Sequence, residues 1–126
     1  MAGQYRSTDT NIGVEHYLIR QELRRLYDDA RAWLEYESYP PDEIAARLHY
    51  RIVSVHPFPN GNGRHARMLS DIVMVRHFKS DPLPWGGGSL QNSDANRAAY
   101  IEALIAADRH DFAPLLRFAR SRGARG

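Results

Sequence analysis

Residues 56–67 read His-Pro-Phe-Pro-Asn-Gly-Asn-Gly-Arg-His-Ala-Arg, and they decide the fold because they join two segments with helical patterns of apolar residues. Pro57 and Pro59 end the preceding helix, and the glycine-rich turn opens the next one. Backbone N–H groups in such a turn converge on one point, and the following helix adds the positive end of its dipole. The stretch therefore predicts a phosphate-binding site, with His56 beside it to accept a proton from an attacking hydroxyl.

Two arginines belong to the same predicted site. Arg64 and Arg67 lie three residues apart, which places them on one face of the predicted helix. Each residue is ambiguous by itself, since a lone histidine after a helix is usually structural or solvated. Two arginines on a helix can likewise belong to a solvated face. The combination with the glycine turn favours contact with phosphate.

Apolar residues at three- and four-residue spacing predict an all-α fold of about five helices. These helices cover approximately residues 15–37, 41–55, 62–79, 95–108 and 111–121. Pro41 suits the first turn of the second helix, and Ser93 or Asp94 is suited to cap the fourth.

The segments between and beyond these helices lack a helical period. Residues 1–14 are expected to form a loop or a short hairpin. Residues 80–92, with Pro82, Pro84 and three successive glycines at 86–88, are expected to form a connection. Residues 120–126 are expected to form a frayed basic tail. With 126 residues and 43% hydrophobic content, the chain has enough core for one domain, 1–126.

Charge and cysteine content exclude several classes of function. The chain has 17 Lys and Arg against 15 Asp and Glu, a formal excess of +2, so we expect no nucleic-acid partner. The absence of cysteine excludes disulfides, thiolate metal sites and a cysteine nucleophile, and it favours a cytoplasmic location. No apolar run approaches the ~20 residues needed to span a bilayer, and the N-terminus lacks the apolar core of a signal peptide. We therefore expect no membrane partner.

Other residues invite a binding interpretation without supporting one. The remaining histidines are His16, His49, His65, His77 and His110, and their spacing matches no zinc pattern. We expect His65 to face solvent or the rim of the cleft. The three glycines of residues 86–88 predict a flexible turn, which could border the predicted phosphate-binding site. Trp85 beside them covers either apolar surface or, where the phosphate belongs to a nucleotide, part of its adenine.

The stretch at 56–67 resembles the Fic/Doc signature, His-x-Phe-x-(Asp/Glu)-Gly-Asn-Gly-Arg-x-x-Arg. Seven fixed positions agree, and chance agreement at one aligned site is on the order of 10⁻⁹. They are His56, Phe58, Gly61, Asn62, Gly63, Arg64 and Arg67. The likeness extends to residues 3–6 and to the Arg97, Tyr100 and Asp111 region. Residues 4–6, 11–14 and 85–90 also look like the small bacterial branch called mobile mystery protein B. Members of that branch usually carry helical sequence before this point, so an N-terminal helix is expected to be missing.

This resemblance implies a Fic-type helical domain that transfers AMP, or a related nucleotide or phosphate group, from ATP to a hydroxyl side chain of a target protein. It implies that His56 is the general base and that residues 61–63 form the anion hole. Arg64 and Arg67 would neutralise the phosphates, and Phe58 would anchor the loop. Residues 7–14 would form a flap that aligns the target. The branch resemblance also suggests an antitoxin-like partner.

One position departs from the signature. Asn60 stands where the family has an acidic residue, which holds Mg²⁺ against the phosphates of the nucleotide. Magnesium prefers charged oxygen ligands, so Asn60 is a weak candidate for holding Mg²⁺ or Mn²⁺ beside the nucleotide. Three readings stay open: a slow transferase with weak metal binding, an enzyme with different donor chemistry, or a catalytically impaired Fic-like module that binds a nucleotide or a partner. The inhibitory motif Ser/Thr-x-x-x-Glu-Gly/Asn of many family members does not occur in the sequence.

Overall fold

The computed structural model describes residues 4–10, 12–87 and 94–122. Within these ranges there are five α-helices and no strand, which confirms the all-α prediction. The helices are α1 (Ile19–Glu35), α2 (Pro41–Val55), α3 (Asn62–Ile72), α4 (Asp94–Asp108) and α5 (Ala113–Arg120). A 3₁₀ turn, His16–Leu18, leads into α1, and a π-helical turn, Val73–His77, continues α3.

Helix α2 lies at the centre, in contact with α1, α3 and α5, while α4 packs on α5. Its sequence explains this position, because apolar side chains lie on more than one of its faces. One face joins an apolar cluster with α1 and α3, and the opposite face contributes Ala46 to a second cluster with α4 and α5. The first cluster contains Ile19, Leu23, Leu26, Leu48, Ile52, Val55 and Ala66. The loop that follows α2 is therefore held between two packed helices.

Trp85 belongs to the second cluster and is fully buried. Its indole ring stacks on the imidazole of His49 with 4.3 Å between ring centroids. Of the two roles expected for Trp85, the structure shows that it covers apolar surface, since a ring with no exposed area cannot stack on an adenine. Gly88 and Ser93 lie outside the described residues.

The third helix changes character before its expected end at residue 79. The N–H of Phe78 donates to the carbonyl of Val73 at 3.2 Å, which closes a wider turn than an α-helix has. The apolar period continues through this turn, so the sequence pattern does not distinguish it from an α-helix. Helix α1 ends earlier than expected, at Glu35, and α5 begins later, at Ala113.

The N-terminal segment is a loop, with no hairpin pairing in residues 4–10 and 12–14. Its backbone instead bonds to the chain that follows α2. The N–H of Arg6 donates to the carbonyl of Pro57 at 2.9 Å, and the N–H of Val14 donates to that of Val55 at 3.3 Å. The expected flap thus lies against the loop that carries the signature residues.

The C-terminal segment also differs from expectation. Arg120 is still helical, and its Nε donates to the carboxylate of Asp42 at 2.5 Å. The carbonyl of Ser121 accepts the N–H of Gly86 at 2.8 Å. These contacts hold Arg120 and Ser121, where a frayed tail was expected; residues 123–126 lie outside the described ones. None of the helices described is both long enough and apolar enough to cross a bilayer.

Candidate active site

His56 is the residue that ends α2, and it adopts a left-handed backbone conformation with φ 53° and ψ 59°. Its N–H still donates to the carbonyl of Ile52 at 3.0 Å, so the chain leaves the helix abruptly after this bond. A non-glycine residue in this region is uncommon and costs energy unless its surroundings hold it. The half-buried imidazole is thereby directed out of the helix end.

Arg6 holds this bend from the other side. Its guanidinium donates to the carbonyl of His56 at 2.5 Å from Nε, and to that of Val55 at 3.2 Å from Nη2. It also donates to the carbonyls of Thr8, at 2.9 Å, and Val14. The side chain is 5% exposed. One buried cation therefore ties the N-terminal segment to the end of α2.

The surroundings of His56 favour its neutral form. Partial burial disfavours the imidazolium ion, and the positive charge of Arg6 acts in the same direction. Together they lower the pKa of His56 below its ordinary value of 6.5. At neutral pH the ring therefore has a free lone pair and is able to accept a proton.

The side chain of Asn62 forms hydrogen bonds to the backbone of the loop that precedes α3. Its Oδ1 accepts the N–H of Phe58 at 2.9 Å, and its Nδ2 donates to the carbonyl of Phe58 at 2.8 Å. These two bonds fix which end of the amide is nitrogen, so it is the Nδ2 of Asn62 that lies 3.3 Å from Nδ1 of His56. The contact is longer than a usual hydrogen bond, and it orients the imidazole. Since the side chain of Asn62 is committed to the loop, an anion can meet the backbone N–H of this residue but not its amide.

Phe58 lies inside the loop, 8% exposed. Its ring packs between those of Tyr5 and His65, with centroid distances of 5.6 and 4.6 Å. His65 therefore packs on Phe58, where the sequence suggested a position in solvent or at the cleft rim. This packing holds the start of α3 against the N-terminal segment.

The glycine turn opens α3 as the motif requires. Gly61 has φ 75° and precedes the first helical residue without any side-chain cap. The first N–H groups of α3 therefore have no acceptor within the helix. A Cβ placed on Gly61 would meet a single neighbour, Nη2 of Arg64, at 3.9 Å. The space beside Gly61 is therefore open, and the guanidinium of Arg64 borders it. This arrangement is suited to binding an anion.

Arg67 lies deeper than Arg64, at the edge of a buried polar cluster formed by His49, Asp71 and Trp85. Burial lowers the pKa of His49 to about 3, with the charge of Arg67 acting in the same direction. Burial raises the pKa of Asp71, whereas Arg67 and the indole N–H of Trp85 act to lower it. The Trp85 Nε1 and Asp71 Oδ1 atoms are both buried, and neither makes a full hydrogen bond among the described residues. Arg67 thus links the signature helix to the core beneath it.

Asn60 is exposed at the tip of the loop and brings a neutral amide oxygen to the position of the family's acidic residue. Within residues 4–10, 12–87 and 94–122, no three His, Asp or Glu side chains cluster where they would hold a metal ion. A magnesium ion usually takes one or two carboxylates and completes its shell with phosphate oxygens and water. The donor set here fits such an ion weakly, because it offers no negative charge at this point.

The structure brings the predicted residues of 56–67 together in one loop and helix start. Sequence reasoning missed Arg6 and Gly13 as parts of this site. A Cβ on Gly13 would lie 2.6 Å from the Cβ of His56, so the N-terminal segment passes directly against the histidine. The sequence did contain a signal at Arg6, since this residue falls within a segment that resembles the family. The carbonyls of Val55 and His56 that it binds, however, are about fifty residues away in the chain.

Comparisons with known proteins agree with this geometry. The sequence profile of the Fic/DOC family matches residues 1–74. The protein adenylyltransferase fic-1 of Caenorhabditis elegans is 34% identical over 125 residues, which cover 93% of this chain and 22% of the relative. The protein adenylyltransferase Fic of Nematostella vectensis is 32% identical and covers 93% of this chain and 26% of the relative. The chain therefore spans about a fifth to a quarter of the length of these relatives.

A shorter relative and a solved structure extend the agreement. A Fido domain-containing protein of Dictyostelium discoideum is 30% identical over 112 residues, which cover 86% of this chain and 73% of the relative. The structure of Fic-1 (aa134 - 508) from C. elegans matches with a TM-score of 0.72 and 31% identity, over 94% of this chain and 33% of that one. The signature residues, the helical fold and these matches lead to one conclusion: the chain belongs to the Fic/DOC family.

Proposed function

We propose that this chain transfers AMP from ATP to a hydroxyl side chain of a target protein. The observation that carries the proposal is the position of the His56 imidazole, which contacts Asn62, the first residue of α3, at 3.3 Å. A proton acceptor thus lies beside the helix start where phosphates would bind. The names of the relatives, protein adenylyltransferases, support the same reaction.

The reaction places each proposed group in a definite role. The target hydroxyl oxygen attacks the α-phosphorus of ATP and forms a new P–O bond, while the bond from that phosphorus to the bridging oxygen of the β-phosphate breaks. Pyrophosphate leaves with the bond electrons, and the hydroxyl proton passes to His56. A positioned base contributes roughly 10²–10⁴ in rate to such a step, and the lowered pKa keeps His56 ready to accept.

The start of α3 receives the developing negative charge in this proposal. The backbone N–H groups of residues 62–64 and the guanidinium of Arg64 face the open space over Gly61. Fixed donors of this kind stabilise charge without reorganising during the reaction. Arg67 adds positive charge from the inner side, and Phe58 holds the loop by packing.

A divalent metal would neutralise phosphate charge when bound. We propose Mg²⁺ or Mn²⁺ for this part, held by the amide oxygen of Asn60 and by the phosphates of the nucleotide. Asn60 would bind the metal weakly, because this position has no carboxylate.

Asn60 also favours a second candidate function. Without an anionic metal ligand, the protein would bind a nucleotide or a partner protein but would transfer AMP slowly or not at all. Fold does not decide between these functions, because both use the same helices and loop.

The finer expectations from the sequence stand as proposals beside the reaction. We infer membership of the bacterial mobile mystery protein B branch from the sequence of residues 4–6, 11–14 and 85–90. We infer a cytoplasmic location from the absence of cysteine, and an antitoxin-like partner from the branch. We propose one Fic-like domain over residues 1–126. The relatives named above come from animals and an amoeba, so the sequence pattern alone supports the branch.

Incubation of the purified chain with cell extract tests the reaction. ATP labelled at the α-phosphate, with Mg²⁺ or Mn²⁺, is expected to label a target protein or the chain itself beyond the extract alone, while ATP labelled at the γ-phosphate is expected to give no label that depends on the added chain. His56→Ala should abolish the label, and His110→Ala, a change at an exposed histidine after α4, should retain it. Label from the γ-phosphate alone would contradict AMP transfer. Nucleotide binding without any label would establish the second candidate.

A further inference from the structure

A groove runs along the outer face of α1 and reaches the N-terminal segment. It consists of two adjoining cavities of about 570 and 580 Å³, which share Tyr5 and Arg20 as lining residues. We call it the α1 groove. The side chains that define it are Tyr5, Tyr17, Arg20, Arg24, Tyr27 and Arg31.

The helical period explains why these residues share one face. Arg20, Arg24, Tyr27 and Arg31 fall within about 60° around the axis of α1, at 3.6 residues per turn. The aromatic rings are accessible, with Tyr27 49% and Tyr5 39% exposed. The face opposite carries Ile19 and Leu26 into the core, so the groove is the solvent side of an amphipathic helix.

The arginines of the groove differ from their neighbours in the ion pairs that they make. Among the described residues, Arg25 pairs with Glu22 and Arg51 pairs with Asp29, whereas no carboxylate pairs with Arg20, Arg24 or Arg31. Arg20 instead lies over the ring of Tyr5, 5.9 Å from its centroid. Three guanidinium groups with rings between them leave this groove positively charged and open to an anionic ligand.

The groove is continuous with the proposed active site. Tyr5 packs on Phe58 within the signature loop. Arg6 lines the first cavity and also donates to the carbonyl of His56. A polypeptide lying in the groove would therefore end beside the loop that carries the proposed base.

We propose that the α1 groove binds an extended, acidic segment of the target protein and so sets which hydroxyl reaches His56; this proposal rests on the proposed function. Along α1, Arg20 and Arg24 are about 6 Å apart and Arg24 and Arg31 about 10 Å apart. An extended chain advances about 3.3 Å per residue. Side chains of an extended chain alternate between its two faces, so three acidic residues at alternate positions, Glu-x-Glu-x-Glu, face the arginines together. Asp is equally suitable, and the long arginine side chains cover the remaining difference in spacing.

The distribution of charge favours a protein segment over a nucleic acid. Asp28 lines the second cavity, and Asp9 bonds to His16 at the wall of the first. A continuous phosphate backbone would pass close to both carboxylates, whereas separate acidic side chains can face the arginines alone. The chain also lacks the overall positive charge typical of nucleic-acid binding, at +2.

Binding of synthetic peptides, measured by fluorescence anisotropy at low salt without ATP, tests the proposal. The probe is a labelled peptide with a serine or threonine and the spacing Glu-x-Glu-x-Glu, and its matched control has Gln at the three acidic positions. We expect the acidic peptide to bind more tightly than the Gln peptide and to weaken with added salt. The double variant Arg24→Gln/Arg31→Gln should weaken binding about fivefold, as expected for two exposed ion pairs.

The control variant is Arg109→Gln/Arg117→Gln, which removes the same charge from exposed sites on α5 and on the connection that precedes it. It should leave peptide binding unchanged. Equal binding of the acidic and Gln peptides, equal loss in both double variants, or tighter binding of a single-stranded RNA of matched charge would overturn the proposal. Because the assay contains no nucleotide, loss of labelling in the earlier experiment and loss of peptide binding here are separate results.

Discussion

The guanidinium of Arg6 donates a hydrogen bond of 2.5 Å to the carbonyl of His56, although fifty residues separate the two. The guanidinium also donates to the carbonyl of Val55, and the backbone N–H of Arg6 donates to the carbonyl of Pro57. These contacts satisfy carbonyls that the end of α2 leaves without helical partners. Arg6 therefore stabilises the left-handed bend that directs His56 out of the helix.

Arg6→Met keeps the length of the side chain and removes every donor. We expect the free energy of unfolding to fall by about 2–4 kcal/mol, since several buried carbonyls lose a charged partner. Urea unfolding measures this change. Arg109→Met, at an exposed position, is the control and should change it by less than about 0.5 kcal/mol. Similar unfolding midpoints for the two variants would show that Arg6 does not hold the bend.

Gly13→Ala should detach the N-terminal segment from His56. The new Cβ would lie 2.6 Å from the Cβ of His56 and 2.8 Å from the carbonyl oxygen of Val55, at a φ of +92°. Both contacts are too close, so the segment must move. Hydrogen exchange at the N–H groups of Arg6 and Val14 is expected to accelerate at least tenfold, about 1.4 kcal/mol of lost protection.

Gly61→Ala is the matched control for this experiment. It also places an alanine at a positive φ, but the new Cβ meets only one neighbour, at 3.9 Å. The backbone at residue 61 is therefore strained without a steric clash. If both variants expose the two amides equally, the close approach at Gly13 is not what holds the segment.

Asn62→Ala removes both hydrogen bonds to the backbone of Phe58. Because these groups are buried, we expect the unfolding free energy to fall by about 1–3 kcal/mol. Asn60→Ala, two residues earlier and exposed, should change it by less than about 0.5 kcal/mol. Thermal or urea unfolding of the two variants measures the contrast, and an equal loss in both would reject the role of Asn62 as the internal clamp of the loop.

Asn60→Asp tests the proposed weakness of metal binding. A carboxylate at this exposed position supplies the charged oxygen that Mg²⁺ prefers. We expect labelling by α-labelled ATP to increase and to reach half of its maximum at a lower Mg²⁺ concentration. Freshly purified protein is needed, because the Asn60-Gly61 sequence is suited to deamidation. No gain in labelling at any metal concentration would mean that the metal ligand is not what limits the reaction.

The stability of the fold should depend on pH through His49. Burial lowers the pKa of His49 to about 3, whereas in the unfolded chain it titrates near 6.5. Between these values the unfolded chain binds one proton more, so stability falls as the pH decreases from about 6.5 toward 3. We expect the unfolding free energy of the wild-type chain, relative to that of His49→Phe, to fall by about 2 kcal/mol between pH 7 and pH 5.

The comparison with His49→Phe isolates this one group, because other titrating residues such as Asp71 are present in both chains. Urea unfolding at a series of pH values gives the two curves. Parallel curves would show that the folded protein protonates His49 as easily as the unfolded chain does.

The sequence by itself determined the elements of this fold. The period of apolar residues predicted the helices, and Pro57 and Pro59 predicted the break between α2 and α3, because both signals act on neighbouring residues. The signature at 56–67 also identified the family without any structure. The π-helical turn after Ile72 escaped prediction, since its apolar residues follow nearly the same period.

Only the tertiary structure decided how the site is held. The bonds from Arg6 to the end of α2, the close passage of Gly13 and the burial of Trp85 on His49 all join residues far apart in the chain. Periodicity and propensity describe each segment separately and contain no information about which distant segment will lie against it. The donors that keep His56 in its left-handed bend come from the N-terminal loop, and their partners are set when the packed helices bring that loop to the end of α2.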